Sequence, residues 1–254
     1  GIHVMTEKPM GLTVRACQLM HKKAIAAGRI LSIAENYRRD PMNRLAKAII
    51  DEGVIGIPHF LIKVGVGGGS ALMHDTGWRA LKSRAGSIII EQGVHDADLM
   101  LYFMGDVESV YAETDIFTKI RRRAGIARTL QPFYAHRVED QFAGEDVVDI
   151  NQEDSAFAVI RFKSGVIGHY AISNASHGYA NGIDTLHGSL GVMIMPSSRS
   201  GRGPELRIEG CDKPLLGDEL LELVPDWELD DITALFFDNR HRLSSYQMPF
   251  SDVD

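Results

Sequence analysis

Apolar residues recur along this chain with two different periods, and the change of period divides it. Residues 2–5 form an apolar run too short for a helix and read as a buried strand. Thr13 is placed to cap a helix over 14–27, with Ala16, Leu19, Met20 and Ala24 on one stripe and Gly28 as the stop. Residues 31–35 read as a second short strand. Strand, helix and strand joined by short links are the grammar of a parallel α/β sheet. Asp40 before Pro41 pairs a capping acid with a proline at the first helical position. The helix it starts runs to Glu52, turns Leu45, Ala48 and Ile49 inward and stops at Gly53. A strand over 59–64, a glycine-rich loop over 65–70 and an apolar strand over 88–90 follow. A helix over 93–104 comes next, with Val94, Ala97, Leu101 and Met104 inward and Gly105 after it.

From there the period shortens. Residues 107–114, 155–162 and 166–173 alternate as half-buried strands do. Lys163-Ser164-Gly165 is a tight turn between two of them. Shorter strands are expected at 183–187, 190–195 and 205–209. Residues 117–150 carry many charges with little periodicity and read as a long excursion, and 196–204 reads as a loop. No internal repeat is visible. The pattern predicts a small parallel α/β piece followed by an α+β piece, a larger and mainly antiparallel sheet with helices on one face.

Composition narrows the function classes. The chain has 254 residues, 44% hydrophobic and 24% charged, which suits a soluble globular fold with a full core. A net charge of −7 argues against a nucleic-acid partner, whose footprint is basic. The local run Arg121-Arg122-Arg123, with Arg128 nearby, reads first as a solvated face and second as a contact for a phosphate-bearing partner. Cys17 and Cys211 are the only cysteines, so no disulfide framework is implied and a reducing, cytoplasmic compartment fits. No apolar stretch approaches the ~20 residues that span a bilayer. The first residues lack the basic start and long apolar segment of a signal peptide.

Candidate chemistry lies at element ends. Glu7-Lys8-Pro9 follows the first strand, where ligands gather in open α/β sheets, and proline restricts Lys8 to extended backbone. A fixed ammonium there lowers the pKa of a nearby hydroxyl electrostatically. Glu91 stands four residues before His95 and, in helical geometry, faces the same way. A carboxylate beside an imidazole orients it for general-base work. His95-Asp96-Ala97-Asp98 has the composition of a metal site, but consecutive helical residues diverge and no second cluster has ligand spacing, so no metal is expected. Gly65-Val66-Gly67-Gly68-Gly69-Ser70 imitates a dinucleotide fingerprint. Ser70 at its last position and Gly77 inside the following segment count against it, and a flexible loop on the substrate side is expected instead. Trp78-Arg79 offers an aromatic face and a donor fork to a sugar. Asn36, Tyr37 and Arg38, after the second strand, belong to the same cleft, with His177 as a further substrate candidate. His169 and Tyr179 read as structural.

In order, four segments resemble the glucose-fructose oxidoreductase, inositol dehydrogenase and MocA family. They are 3–10 with its Glu-Lys-Pro, 41–58 ending Glu-Gly-Val-Ile-Gly-Ile-Pro, 86–105 with Glu91 and His95, and the apolar hairpin 157–173. The resemblance covers roughly 2–175 and fades beyond 180. It implies a Rossmann domain, of which 1–40 would be the end, joined to a substrate-binding and oligomerisation domain over 41–254. It implies oxidation or reduction of a secondary alcohol or ketone of a sugar, polyol or related ring with NAD or NADP, in a homodimer or homotetramer formed through the sheet. By position, Lys8 matches the family lysine, Glu91 the acid of the catalytic helix and His95 the catalytic histidine. Many members have Asp where this chain has Glu91. Glu7, Lys8 and Pro9 match the segment beside the nicotinamide.

The family's glycine-rich phosphate loop precedes Glu-Lys-Pro and has no counterpart in this sequence. The chain is therefore expected to be a fragment that binds no dinucleotide by itself. Two other readings fit the same resemblance: glycoside cleavage through transient oxidation, and a non-catalytic module for ligand sensing or dimerisation.

Overall fold

The computed structural model describes residues 1–73, 76–124, 145–196 and 202–237. Arg128, most of the charged excursion and part of the 196–204 loop lie outside them.

The first unit is β1 (Val4–Thr6), α1 (Val14–Ala26) and β2 (Leu31–Ile33), with β1 and β2 parallel and Val4 opposite Leu31. Thr13 caps α1 through Ala16 N, as the sequence predicts. Two expectations about its burial fail. Val4 and Met5 are exposed at 48% and 74%, and no residue of α1 is buried. Two short strands cover too little surface to bury either stripe, and Leu19 faces outward at 57%.

The second unit holds the core. A 3-10 turn, Tyr37–Arg39, leads into α2 (Pro41–Asp51), capped by the Asp40 carboxylate at Met42 N. α2 buries Met42, Leu45, Ala46 and Ile49. β3 (Pro58–Val66) then begins a seven-stranded sheet. After a 3-10 turn at Gly77–Ala80 come α3 (Lys82–Ala85), α4 (Ile88–Glu91) and α5 (Gly93–Met104). The later strands are β4 (Val107–Asp115), β5 (Ile120–Arg122), β6 (Val147–Asp149), β7 (Ser155–Phe162), β8 (Ile167–Ser173), β9 (Asn181–Gly188), β10 (Gly191–Ile194) and β11 (Glu205–Ile208). A 3-10 turn, Gly217–Leu223, and α6 (Asp231–Phe237) close the described chain.

The sheet order is β11-β10-β9-β3-β8-β7-β4. Only β3 and β8 run parallel; the other neighbours are antiparallel. β5 and β6 form a separate two-stranded antiparallel sheet. One face carries Leu61, Ala156, Ala158, Ile160, Phe162, Tyr170 and Leu186 into the core with α2 and α5. The other leaves Phe60, Tyr111, Phe157, Val159, Ile167 and Ile183 between 41% and 68% exposed.

Four further expectations need correction. Residues 88–90 form a helical turn, not a strand: Ser87 accepts from Ile90 N and Glu91 N, and an apolar run this short carries no period to decide between the two. The inward stripe of α5 is Leu99, Met100 and Met104 rather than Val94, Ala97 and Leu101, and Leu101 is 43% exposed. The glycine-rich segment is anchored, not free. Gly65 and Val66 belong to β3, Gly67 N donates to Ser173 O at 2.9 Å, and Ser176 N donates to Gly67 O at 3.0 Å. A Cβ on Gly68, which has φ +77°, would lie 2.8 Å from Asn174 O, so the glycine allows this close packing. Arg121 is buried, not solvated: its guanidinium donates to Asp154 at 2.7 Å and to the carbonyls of Gly69 and Asn174.

Candidate active site

The carboxyl ends of β1 and β2 meet the amino-terminal part of α5, and side chains from the three converge there. Lys8, just past β1 and joined to Pro9 by a cis peptide bond, donates from Nζ to the Glu91 main-chain carbonyl at 2.8 Å. The same Nζ lies 3.5 Å from Glu91 Oε1. Glu91 also accepts from Arg79 Nε at 3.2 Å, and Arg79 Nη1 reaches Thr76 Oγ1 at 2.7 Å. The acid is therefore held between two cations, with its side chain 12% exposed. Glu7 stays at the surface and accepts from Lys8 N.

His95 turns away from Glu91. Its Nδ1 lies 2.7 Å from Glu35 Oε1, and its ring stacks on Tyr37 with centroids 4.0 Å apart and planes 8° from parallel. Glu35 Oε1 also accepts from Tyr37 N at 3.2 Å, and Asn43 Nδ2 fixes the Tyr37 carbonyl at 3.0 Å. Burial pushes the Glu35 carboxyl up. The hydrogen bond and charge of His95, the Tyr37 N–H and the charge of Lys8 outweigh it and hold the group below the usual carboxylate range.

α5 is fixed from below. Asp96 accepts from the Tyr170 hydroxyl at 3.0 Å and lies 3.2 Å from Lys63 Nζ, which also pairs with Asp184. Lys63, Tyr170 and Asp184 all project from the core face of the sheet, so the inward stripe of α5 includes a carboxylate. Gly93 makes the approach possible, because a Cβ there would lie 2.9 Å from the Tyr170 oxygen. Asp98, on another face, takes Arg38 Nε at 2.6 Å, and the Arg38 guanidinium lies 5.4 Å from the Tyr102 ring centroid. Asp96 and Asp98 thus diverge. Among the described residues no group of three metal-ligating side chains lies together.

The sequence candidates separate accordingly. Lys8, Glu91, Arg79 and His95 are brought to one region, with Asn36 and Arg38 on its border. The pairing of Glu91 with His95 is not formed. Trp78-Arg79 is no open sugar platform: Arg79 is buried and stacks 4.3 Å over its neighbour's ring. His177 sits apart, beside Thr118 Oγ1 at 3.1 Å. Glu35 escaped the sequence reading. The only available signal was an acid at the carboxyl end of a short parallel strand.

Residues 43–194 match the family model described as the GFO/IDH/MocA C-terminal domain. Levoglucosan dehydrogenase of Pseudarthrobacter phenanthrenivorans is 28% identical over 203 residues, 78% of this chain and 50% of that protein. Myo-inositol 2-dehydrogenase of Thermotoga maritima is 27% identical over 201 residues, 78% of this chain and 50% of that protein. The chain thus spans about half the length of the curated relatives it matches. The solved levoglucosan dehydrogenase in complex with NADH and L-sorbose superposes with a TM-score of 0.66 at 23% identity, over 84% of this chain and 53% of that one, which speaks to the fold.

Proposed function

The chain belongs to the GFO/IDH/MocA family, and from that premise we propose that it is the substrate-side part of an NAD(P)-dependent oxidoreductase. Its substrate class is a secondary alcohol or ketone on a sugar, polyol or related ring. Residues 1–40 complete a nucleotide-binding domain, and 41–254 bind substrate and carry subunit contacts. The dehydrogenases and reductase among its relatives support the reaction class.

The observation that carries the reading is the placement of Lys8 and His95. An ammonium at the carboxyl end of a parallel strand and an imidazole at the start of a helix from the next unit come together around Glu35. Polar side chains from the ends of both β1 and β2 gather where α/β sheets receive ligands, which fits the nicotinamide end of a dinucleotide. Bound there, a nicotinamide supplies the hydride acceptor. On the protein side, His95 Nε2 takes the hydroxyl proton as the carbinol hydrogen leaves with its electron pair, and the product is the ketone. Lys8 stabilises the alkoxide character that develops on oxygen. Glu91, between Lys8 and Arg79, keeps the ammonium in place. Glu7 and Pro9 shape its segment, and Asn36 and Arg38 border the substrate side. The anchored glycine segment 65–70 takes no part in holding phosphates.

The test is absorbance of reduced nicotinamide with the protein, NAD or NADP, and a panel of cyclic polyols, anhydrosugars and aldoses. Stereospecific transfer from a deuterated carbinol carbon is expected. Absence of reduced nicotinamide across the panel, in the protein with its nucleotide-binding segment, overturns the reading.

A further inference from the structure

His95 has several acids within reach along the chain, and three of them are engaged elsewhere. Glu91 is held by Lys8 and Arg79, Asp96 by Tyr170 and Lys63, and Asp98 by Arg38. Glu35 alone among them contacts the imidazole, at 2.7 Å, and it comes from the end of β2 rather than from α4 or α5. The contact is enclosed: the side chains are 12% and 11% exposed for His95 and Glu35.

Three further contacts fix its geometry. Tyr37 lies parallel to the imidazole and blocks one ring face. The Tyr37 N–H donates to the same Glu35 oxygen that meets His95, so one backbone turn sets both partners. Asn43, 1% exposed, holds the Tyr37 carbonyl from α2. Glu35 Oε2 is buried and accepts no hydrogen bond among the described residues. A purely structural carboxylate would normally have that acceptor filled. Its charge is compensated by the imidazole, the Tyr37 N–H and the nearby Lys8 and Arg38 cations.

From this geometry we infer that Glu35 is the positioning residue of His95: its carboxylate accepts the Nδ1 proton, fixes that tautomer and leaves the Nε2 lone pair as the proton acceptor. An ionised carboxylate has no proton to give, so Nδ1 must donate in this contact. The inference rests on the reading of His95 as the base. It adds that the acid sits on the nucleotide-side unit, across the cleft from the helix that bears the histidine. Glu91, the acid at the family position, serves Lys8 instead.

The test begins with the protein itself, labelled with 15N-histidine and followed by long-range proton–nitrogen correlation. Neutral His95 is expected as the Nδ1–H tautomer, and Glu35→Gln is expected to shift it toward a tautomer mixture. This result is independent of the reaction. A neutral His95 that carries its proton on Nε2 in the unsubstituted protein, or a tautomer that Glu35→Gln leaves unchanged, overturns the inference. The unsubstituted protein decides the matter if the variant does not fold. In turnover with the identified substrate, Glu35→Gln is expected to lower kcat on the order of 100-fold with KM within about threefold, and Glu35→Asp to recover part of the loss. An unchanged kcat in Glu35→Gln, in an enzyme that otherwise transfers hydride, also rejects the role. Absence of any hydride transfer would instead count against the oxidoreductase reading while the tautomer result stood.

Discussion

Tyr170 donates its hydroxyl to Asp96 at 3.0 Å, and this bond ties the helix that carries His95 to the middle of the sheet. Asp96 immediately follows His95, so whatever fixes the one fixes the backbone of the other. Lys63, on the neighbouring strand, meets Asp96 and Asp184 together. A partly buried network of this kind is worth little as a sum of pairs but costly to break from one side.

Removing one hydroxyl and removing the shared cation should therefore differ. Tyr170→Phe is expected to cost about 1–2 kcal/mol, and Lys63→Met more than that, because the second leaves two partly buried carboxylates facing each other. Urea unfolding of both variants checks the order. Equal losses, or the reverse order, would show that the contacts do not act as one network.

The same network predicts a stability loss at high pH. Burial pushes the Lys63 ammonium down, but Asp184 and Asp96 outweigh it and hold the group above its ordinary value of 10.5. Burial first, and then Asp96, raise the Tyr170 hydroxyl above its ordinary 10.0. Both groups keep their protons better when folded than when unfolded. Their stabilisation is complete below about pH 10 and is lost as pH rises through the folded values. Thermal unfolding followed from pH 8 upward should show Tm falling beyond pH 10, with a shallower fall in Lys63→Met. Parallel curves for the two proteins would exclude Lys63 as the source.

Lys8→Ala and His95→Ala are each expected to lower kcat/KM by about 100-fold or more in the active enzyme, the range of a lost electrostatic stabiliser or general base. Circular dichroism should be unchanged, because Lys8 and His95 lie at the cleft rather than in the core. Near-normal turnover in either variant removes that residue from the mechanism.

Arg79 is expected to matter through Glu91. Arg79→Met deletes one of the two cations around a nearly buried carboxylate, so stability should fall by about 3 kcal/mol. Arg79→Met with Glu91→Gln should recover much of that loss, since the uncompensated charge is gone. Additive losses in the double-mutant cycle would mean that the pair is not coupled.

The outward face of the sheet presents Phe157, Val159 and Tyr111 side by side across β7 and β4. A solvent-exposed apolar row on a wide sheet is the kind of surface that closes against a second copy. Light scattering coupled to size exclusion is expected to give a dimer or tetramer, and Val159→Lys to shift it toward monomer with the fold intact. A monomer in the unsubstituted protein removes this face as the subunit contact.

Much of this protein is legible in the order of its residues. Thr13, Asp40-Pro41 and the Lys163-Ser164-Gly165 turn mark element ends by local chemistry, and the alternation over 155–162 matches β7 to the residue. Period and capping act within a few residues, so no tertiary information is needed to read them. The candidates Lys8, Glu91 and His95 were found the same way, from residue type at element ends. What only the folded structure decided is partnership. Glu91 and His95 have helical spacing but lie either side of the α4–α5 break, where one carboxylate turns to Lys8 and Arg79 and the imidazole turns to Glu35. The stripe of α5 departs from its apolar period because Asp96 faces the core, which is tolerable only where Lys63 and Tyr170 arrive from distant strands to meet it. Arg121 is buried for the same reason, against a partner, Asp154, that is remote in sequence. Local sequence fixes helix ends and strand alternation because those energies are local. The burial of a charge depends on a counter-charge, and only the tertiary fold determines which one arrives.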